Sequence, residues 1–164
     1  MPPALPEVII PREKAVFRMD AHGRWHNDHG PLEHPKIIAY FNANIRRDAD
    51  GYYLSQELND HIEKVYFPYE DTALFAVDLR GGDPEELLLN TGTRLPLDPH
   101  RLTMRGDDLY QLTGEESDSS VQRVKFTERC LLKIADRLEA SDGGYYYIDS
   151  DGRHPIAALG DEDD

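Results

Sequence analysis

Two passages of this 164-residue chain nearly repeat each other: "DADGYYLSQ" at residues 48–56 and "SDGGYYYID" at residues 141–149. With Gly51 set against Gly144, 93 residues apart, the match extends backwards. Ile37, Ile38, Phe41 and Ile45 then fall against Cys130, Leu131, Ile134 and Leu138. The spacing i, i+1, i+4, i+8 places each set on one stripe of an α-helix. Whatever fold the chain adopts has to hold the same local pattern twice.

The helix starts also agree. Pro35 stands at a first helical position, where its missing N–H costs nothing. Thr127 is placed to cap the second helix, with Phe126 and Leu131 spaced as a hydrophobic staple. Both segments predict helices of about four turns, each passing through an Asp/Gly turn into a tyrosine-rich strand. Upstream, "VFRMDAHGRWHND" and "RLTMRGDDLYQL" each read as a hairpin, turning near Gly23 and Gly106. The polar run "TGEESDSS", residues 113–120, supplies the extra length of the second copy and reads as a mobile acidic loop. Between the copies, "HIEKVYF", "TALFAVDL" and "EELLLNTGT" read as successive strands, and "GRHPIAAL" closes the second copy.

The expected fold is α+β, with mainly antiparallel strands, two main helices and an internal duplication of a hairpin-helix-strand unit. The expected organisation is a first repeat with its following strands over residues 15–97 and a second repeat over 98–159. The two halves are expected to share one globule, followed by a disordered acidic tail at 160–164.

Charge narrows the partners. Asp and Glu number 32 against 18 Lys and Arg, a net charge of −14. Such a surface repels phosphate backbones and anionic lipid, which argues against nucleic-acid and membrane partners. The start "MPPALPEVIIPREK" lacks the basic and apolar regions of a signal peptide, and no apolar run has the length of a membrane span. One cysteine, Cys130, forms no internal disulfide. A cytoplasmic location is the expectation. The partner is expected to be a protein or a small-molecule ligand, and composition says nothing of oligomeric state.

Motifs of catalysis are scarce. Phosphate-binding glycine loops and a G-x-S-x-G elbow are absent, and neither tyrosine passage has the spacing of a calcium loop. His22, His26, His29 and His34 cluster around Trp25, but Gly23, Gly30 and Pro31 make this a turn region rather than a helix that would align metal ligands. Solvated turn histidines are the expectation, with no metal site, cofactor or catalytic residue assigned. Cys130 lies on the apolar helix stripe and reads as a core residue rather than a nucleophile. On the strands, Tyr52 and its counterpart Tyr145 are expected to pack beneath the helices. Tyr53 and Tyr146 take the opposite faces and stay open as an aromatic surface. Trp25, His26, Tyr53 and Tyr146 are thus the candidate ligand-binding residues.

The Gly-x-Trp-His segment at Gly23–His26, the passage "HPKIIAYFNANIRRDADGYYL", and then "EDTALFAVDL" and "LLLNTGTRLPLDPHRL" together resemble a bacterial domain-of-unknown-function family built from two repeated α+β motifs. The resemblance covers roughly residues 17–105. It implies a regulatory or signalling role and brings no catalytic residues with it. The reading that follows is a non-catalytic, cytoplasmic regulatory or ligand-sensing protein. The alternative is a metal-assisted enzyme using the His22–His34 segment.

Overall fold

Strands dominate the computed structural model, which describes residues 5–114 and 121–159. The chain divides into two units, with the boundary in the sequence between Ala73 and Leu74. The first contains β1 (Glu7–Ile10), β2 (Phe17–Met19), β3 (Trp25–Asn27), β4 (Gly30–Pro31), helix α1 (Pro35–Ala43), β5 (Ile45–Asp48), β6 (Gly51–Glu57) and β7 (Ile62–Tyr66). The second opens with β8 (Leu74–Arg80), β9 (Glu86–Leu89) and β10 (Arg94–Pro96). It continues through β11 (Leu102–Arg105), β12 (Asp108–Thr113), β13 (Gln122–Phe126), helix α2 (Glu128–Ile134), β14 (Leu138–Ser141), β15 (Gly144–Asp149) and β16 (Gly152–Ala158). The architecture is α+β, with mixed sheets in which antiparallel pairs predominate.

Both units follow one order of elements. In the first, β2, β3 and β4 pair antiparallel in succession, as do β5, β6 and β7. A parallel bridge from Met19 to Tyr69 joins the two sets. In the second, β11–β13 and β14–β16 form the same antiparallel runs, and β11 pairs parallel with β16. Helix, second hairpin and tyrosine strand all start 93 residues apart, at Pro35 and Glu128, Ile45 and Leu138, Gly51 and Gly144. The second unit adds β8–β10, which join its sheet through a parallel β13–β8 pair. The strands from Leu74 to Pro96 therefore hydrogen-bond in the sheet of the second repeat.

The helices are shorter than four turns. Asn44 ends α1, its N–H donating to the Phe41 carbonyl at 3.1 Å. Ile45 and Leu138, the last members of each apolar stripe, are the first residues of strands, where they still turn inward or partly inward. A β-branched residue such as Ile45 suits a pleated strand. Thr127 caps α2 as expected, accepting from the Cys130 N–H. The inward faces differ between the helices. Cys130 and Ile134, four apart, are fully buried on α2, whereas α1 turns Phe41 inward and leaves Ile37 44% exposed beside Tyr40. One residue is a 100° rotation, so Ile37 leaves the stripe that Ile38 and Phe41 keep. "EELLLNTGT" is likewise not one strand: it turns at Thr91–Gly92, with Gly92 at φ +90°, and β10 returns against β9. Most of the acidic loop and the whole tail lie outside the described residues.

The first unit's core is aromatic. Trp25 is 2% exposed, with Phe17, Phe41 and Phe67 around it at centroid distances of 5.6, 5.3 and 4.8 Å. The second unit's core is mainly aliphatic and includes Leu87, Leu102, Leu109, Val124, Ile134 and Cys130, with Tyr147 among them.

Asp20 organises the turn before β3. Its Oδ1 accepts from the His22 and Arg24 amides, and His26 Nε2 lies 2.7 Å from its Oδ2. Burial pushes the Asp20 carboxyl up, but the His26 hydrogen bond and the two amides outweigh it, leaving Asp20 below its ordinary range. A carboxylate depressed on folding stabilises above its unfolded pKa, and that contribution is lost as pH falls through the folded value. Asp20→Asn is therefore expected to flatten the acid limb of the pH–stability curve of the first unit below about pH 4, read by denaturation at a series of pH values. Burial, followed by the nearby Asp78 carboxylate, pushes the Cys130 thiol up to about 11. A thiol-specific chromogenic reagent at pH 8 should leave native Cys130 unmodified and titrate one equivalent after unfolding; rapid reaction of the native protein would contradict the burial.

Candidate functional site

The four residues singled out from sequence do not form one site. Trp25 and His26 are neighbours on β3 and project to opposite faces. Trp25 is in the core with its indole N–H donating to Asn42 Oδ1 at 2.8 Å. His26 is half-buried against Asp20 and lines a hollow of about 100 Å³ with Phe17, Arg18 and Pro68. His22, His29 and His34 are exposed. Among the described residues, no three His, Cys, Asp or Glu side chains converge to hold a metal ion.

Tyr53 and Tyr146 occupy equivalent places, and each is half-buried. Lys64 Nζ stands over the Tyr53 ring at 4.5 Å, and the Arg153 guanidinium stands over the Tyr146 ring at 3.9 Å. Register explains the likeness. Lys64 lies opposite Ser55 and Arg153 opposite Ile148, each two residues along from the tyrosine and so on its face. A carboxylate on the preceding strand holds each cation: Asp48 binds Lys64 at 3.0 Å, and Glu139 binds Arg153 at 3.0 Å. Asp48 also accepts from the Tyr66 hydroxyl at 2.6 Å. That bond first, then the Lys64 bond, holds Asp48 below its ordinary range despite burial. The ring faces left open in the sequence are thus occupied by the protein's own cations. Beneath them, Tyr52 is buried as expected, with Tyr69 edge-on at 5.2 Å. Tyr145 departs from the expectation: it is 43% exposed, one residue past the start of β15, while Tyr147 takes the buried place that Leu54 has in the first unit.

The second unit contains a cleft of about 510 Å³ that sequence reasoning missed. The loop after β8, through Gly82–Glu85, forms one wall; Leu97 and Pro99, after β10, form another. Arg137, at the end of the turn following α2, and Tyr147–Asp151, at the end of β15, complete it. Its volume falls within the range typical of small-molecule sites.

Partly buried hydrogen bonds hold these pieces in place. Arg137 forks onto Glu85, Nη1 to Oε1 at 2.5 Å and Nη2 to Oε2 at 3.1 Å, and its Nη1 also donates to the Tyr147 hydroxyl at 2.9 Å. Glu85 first, then Tyr147, raise the Arg137 pKa and keep it charged. Gln111, 1% exposed on β12, fixes the Leu97 loop by donating to the Pro96 carbonyl at 2.9 Å and accepting from the Asp98 amide at 3.0 Å. The Leu97 amide donates to the Glu85 carbonyl at 2.9 Å, tying two walls together. At the rim, His154 Nε2 lies 2.9 Å from Asp149 Oδ1, with the His100 ring edge-on to His154 at 5.2 Å. The His154 bond, opposed by burial and supported by the Asp151 and Gly152 amides, holds Asp149 below its ordinary range. The hairpin signal in "DSDGRH" places Asp149 and His154 diagonally on one face of a short-turned hairpin, where Asp149 pairs with Gly152 and His154 with Tyr147, but nothing in sequence pairs Arg137 with Glu85.

No family model matches the chain, and no curated protein does. Two solved structures are similar to it. One is a DUF1285 family protein from Silicibacter pomeroyi DSS-3, with a TM-score of 0.53 at 16% identity over 94% of this chain and 84% of that one. The other is a DUF1285 family protein from Shewanella baltica OS155, with a TM-score of 0.50 at 20% identity over 74% of this chain and 91% of that one. At these identities the likeness is one of fold: the chain folds like two bacterial DUF1285 family proteins.

Proposed function

We propose that this protein is a member of the DUF1285 family, that its two units arose by duplication, and that it acts as a non-catalytic, cytoplasmic regulatory protein binding a small ligand in the cleft of the second unit. The cleft carries this reading. Its walls come from four separate segments yet are tied together by the Arg137–Glu85–Tyr147 network and by Gln111, so the cavity is formed before any ligand arrives. A preorganised concavity lowers the ordering cost of binding.

The same groups favour binding over chemistry. A carboxyl that serves as a general acid needs a raised pKa, whereas Asp149 is depressed and Glu85 is engaged by the Arg137 fork. The fold likeness to two DUF1285 proteins and the shared element order of the units support family membership and duplication. Among the described residues no helix is long and apolar enough to cross a membrane.

Screening a metabolite library by thermal shift tests the reading. A ligand at a hundredfold excess over its Kd should stabilise the protein by about 2.7 kcal/mol. Ser150→Trp, at an exposed position on the cleft wall, should leave the unliganded melting temperature within a degree or two and abolish the shift. A shift that survives this substitution, or turnover of the stabilising compound, would count against the proposal.

A further inference from the structure

We infer that the open edge of β1, in the first unit, is a self-association surface on which a second copy of this chain adds its own β1 antiparallel. The backbone supplies the first observation. β1 is the outer strand of its sheet and pairs on one side with β7. The Pro6 carbonyl accepts from the Ile62 amide, and the register sets Val8 against Glu63 and Ile9 against Lys64. Alternate residues of a parallel strand bond to one neighbour, so Val8 and Ile10 serve β7 while Glu7 and Ile9 turn N–H and C=O to the open side. Among the described residues neither the Glu7 nor the Ile9 amide has a partner.

Other outer strands of the two larger sheets are guarded by charge or proline: Arg46, Arg47 and Asp48 on β5, Arg94 and Pro96 on β10, Glu139 on β14. β1 has only Glu7 at its start and leaves Val8 43% and Ile9 60% exposed. An apolar edge with unmet amides is a template for another strand.

The residues around Ile9 fit that edge to itself. A two-fold axis beside Ile9 sets the two Ile9 residues opposite each other, exchanging both backbone bonds. Val8 then lies opposite the second copy's Ile10, and Glu7 opposite its Pro11, whose carbonyl accepts and whose ring brings no N–H to be left unmet. Pro11 is extended, at φ −70° and ψ 159°, so the pairing runs through it before the chain turns at Arg12. Charge agrees. The net charge of −14 opposes association, but within this segment Glu7 and Glu13 balance Arg12 and Lys14. Antiparallel pairing brings Glu7 of each copy beside Arg12 of the other. Within one chain Arg12 donates to the Asp50 carbonyl and has no carboxylate partner among the described residues, while Glu7 is 3.8 Å from Lys64. Roughly five residues a side is far short of a standard interface, so the expected dissociation constant is on the order of 10–100 μM.

Sedimentation velocity on the full chain, from about 5 μM to about 1 mM, tests this. The mass should rise from 18.7 kDa towards that of a dimer. Ile9→Lys should hold the chain monomeric throughout and leave the melting temperature within about two degrees, since that side chain is exposed. Under mild oxidation Ile9→Cys should cross-link two copies about tenfold faster than Val8→Cys, because paired Ile9 Cα atoms come to about 5.5 Å whereas Val8 is offset from its own counterpart. Cys130 is buried and does not compete. A chain that stays monomeric at the highest concentration would overturn the proposal. A dimer that Ile9→Lys leaves intact would assign association to another surface and overturn it too. Equal cross-linking of the two cysteine variants would overturn the pairing about Ile9. A monomeric chain that binds a Thr-Val-Thr-Val-Thr peptide, and loses it on Ile9→Lys, would give the edge to another protein's strand and overturn the second copy as occupant.

Discussion

Each unit depends on a parallel backbone contact between its first hairpin and the end of its second antiparallel run, just past β7 in the first unit and along β16 in the second. In the first unit the Met19 amide donates to the Pro68 carbonyl at 3.0 Å and the Glu70 amide to the Met19 carbonyl at 3.1 Å. In the second, Thr103 and Met104 pair with Ala157 and Ala158, and the Leu159 amide reaches the Met104 carbonyl at 2.7 Å. Segments remote in sequence are joined here, so loop-closure entropy has to be met before the contact is made. Burial on one face of the joined strands offsets that cost: Phe17, Met19 and Leu54 in one unit, Leu102, Leu109 and Tyr147 in the other.

The tyrosine strands show how one geometry tolerates different chemistry. A tyrosine, a cation two residues along on the facing strand and a carboxylate on the third strand recur in both units. The identities differ, Lys64 with Asp48 in one and Arg153 with Glu139 in the other, because the pleat fixes where side chains point rather than which groups stand there. The neighbouring Tyr147 turns to the other face, and its hydroxyl reaches Arg137 at the cleft. One strand therefore supplies a packed outer face with Tyr146 and part of the cleft with Tyr147.

Local signals are legible in the sequence where periodicity and turn chemistry act over a few residues. Pro35, Thr127, Gly23 and Gly106 mark the helix starts and hairpin turns in both sequence and structure. The helix ends are not legible in the sequence because an apolar stripe looks the same whether its last member closes a helix or opens a strand, as Ile45 and Leu138 do. Trp25 and His26 drew attention as an aromatic–imidazole pair, yet strand alternation sends one into the core and the other to Asp20. No local pattern announces the strand at Glu7–Ile10, which forms by parallel pairing with β7.

The sequence by itself determined the α+β class, the two helix-to-tyrosine passages in a common register, and the burial of Cys130. These follow from side-chain period, capping and turn residues, which act between near neighbours. Tertiary structure decided that β8–β10 extend the second unit's sheet and that cations cover Tyr53 and Tyr146. It also decided that Glu85, Leu97, Arg137 and Tyr147 meet around a cleft. Those outcomes rest on long-range strand register and on ion pairs between distant residues, and a one-residue shift in register would turn Tyr53, Tyr146 and Tyr147 to the opposite faces of their strands.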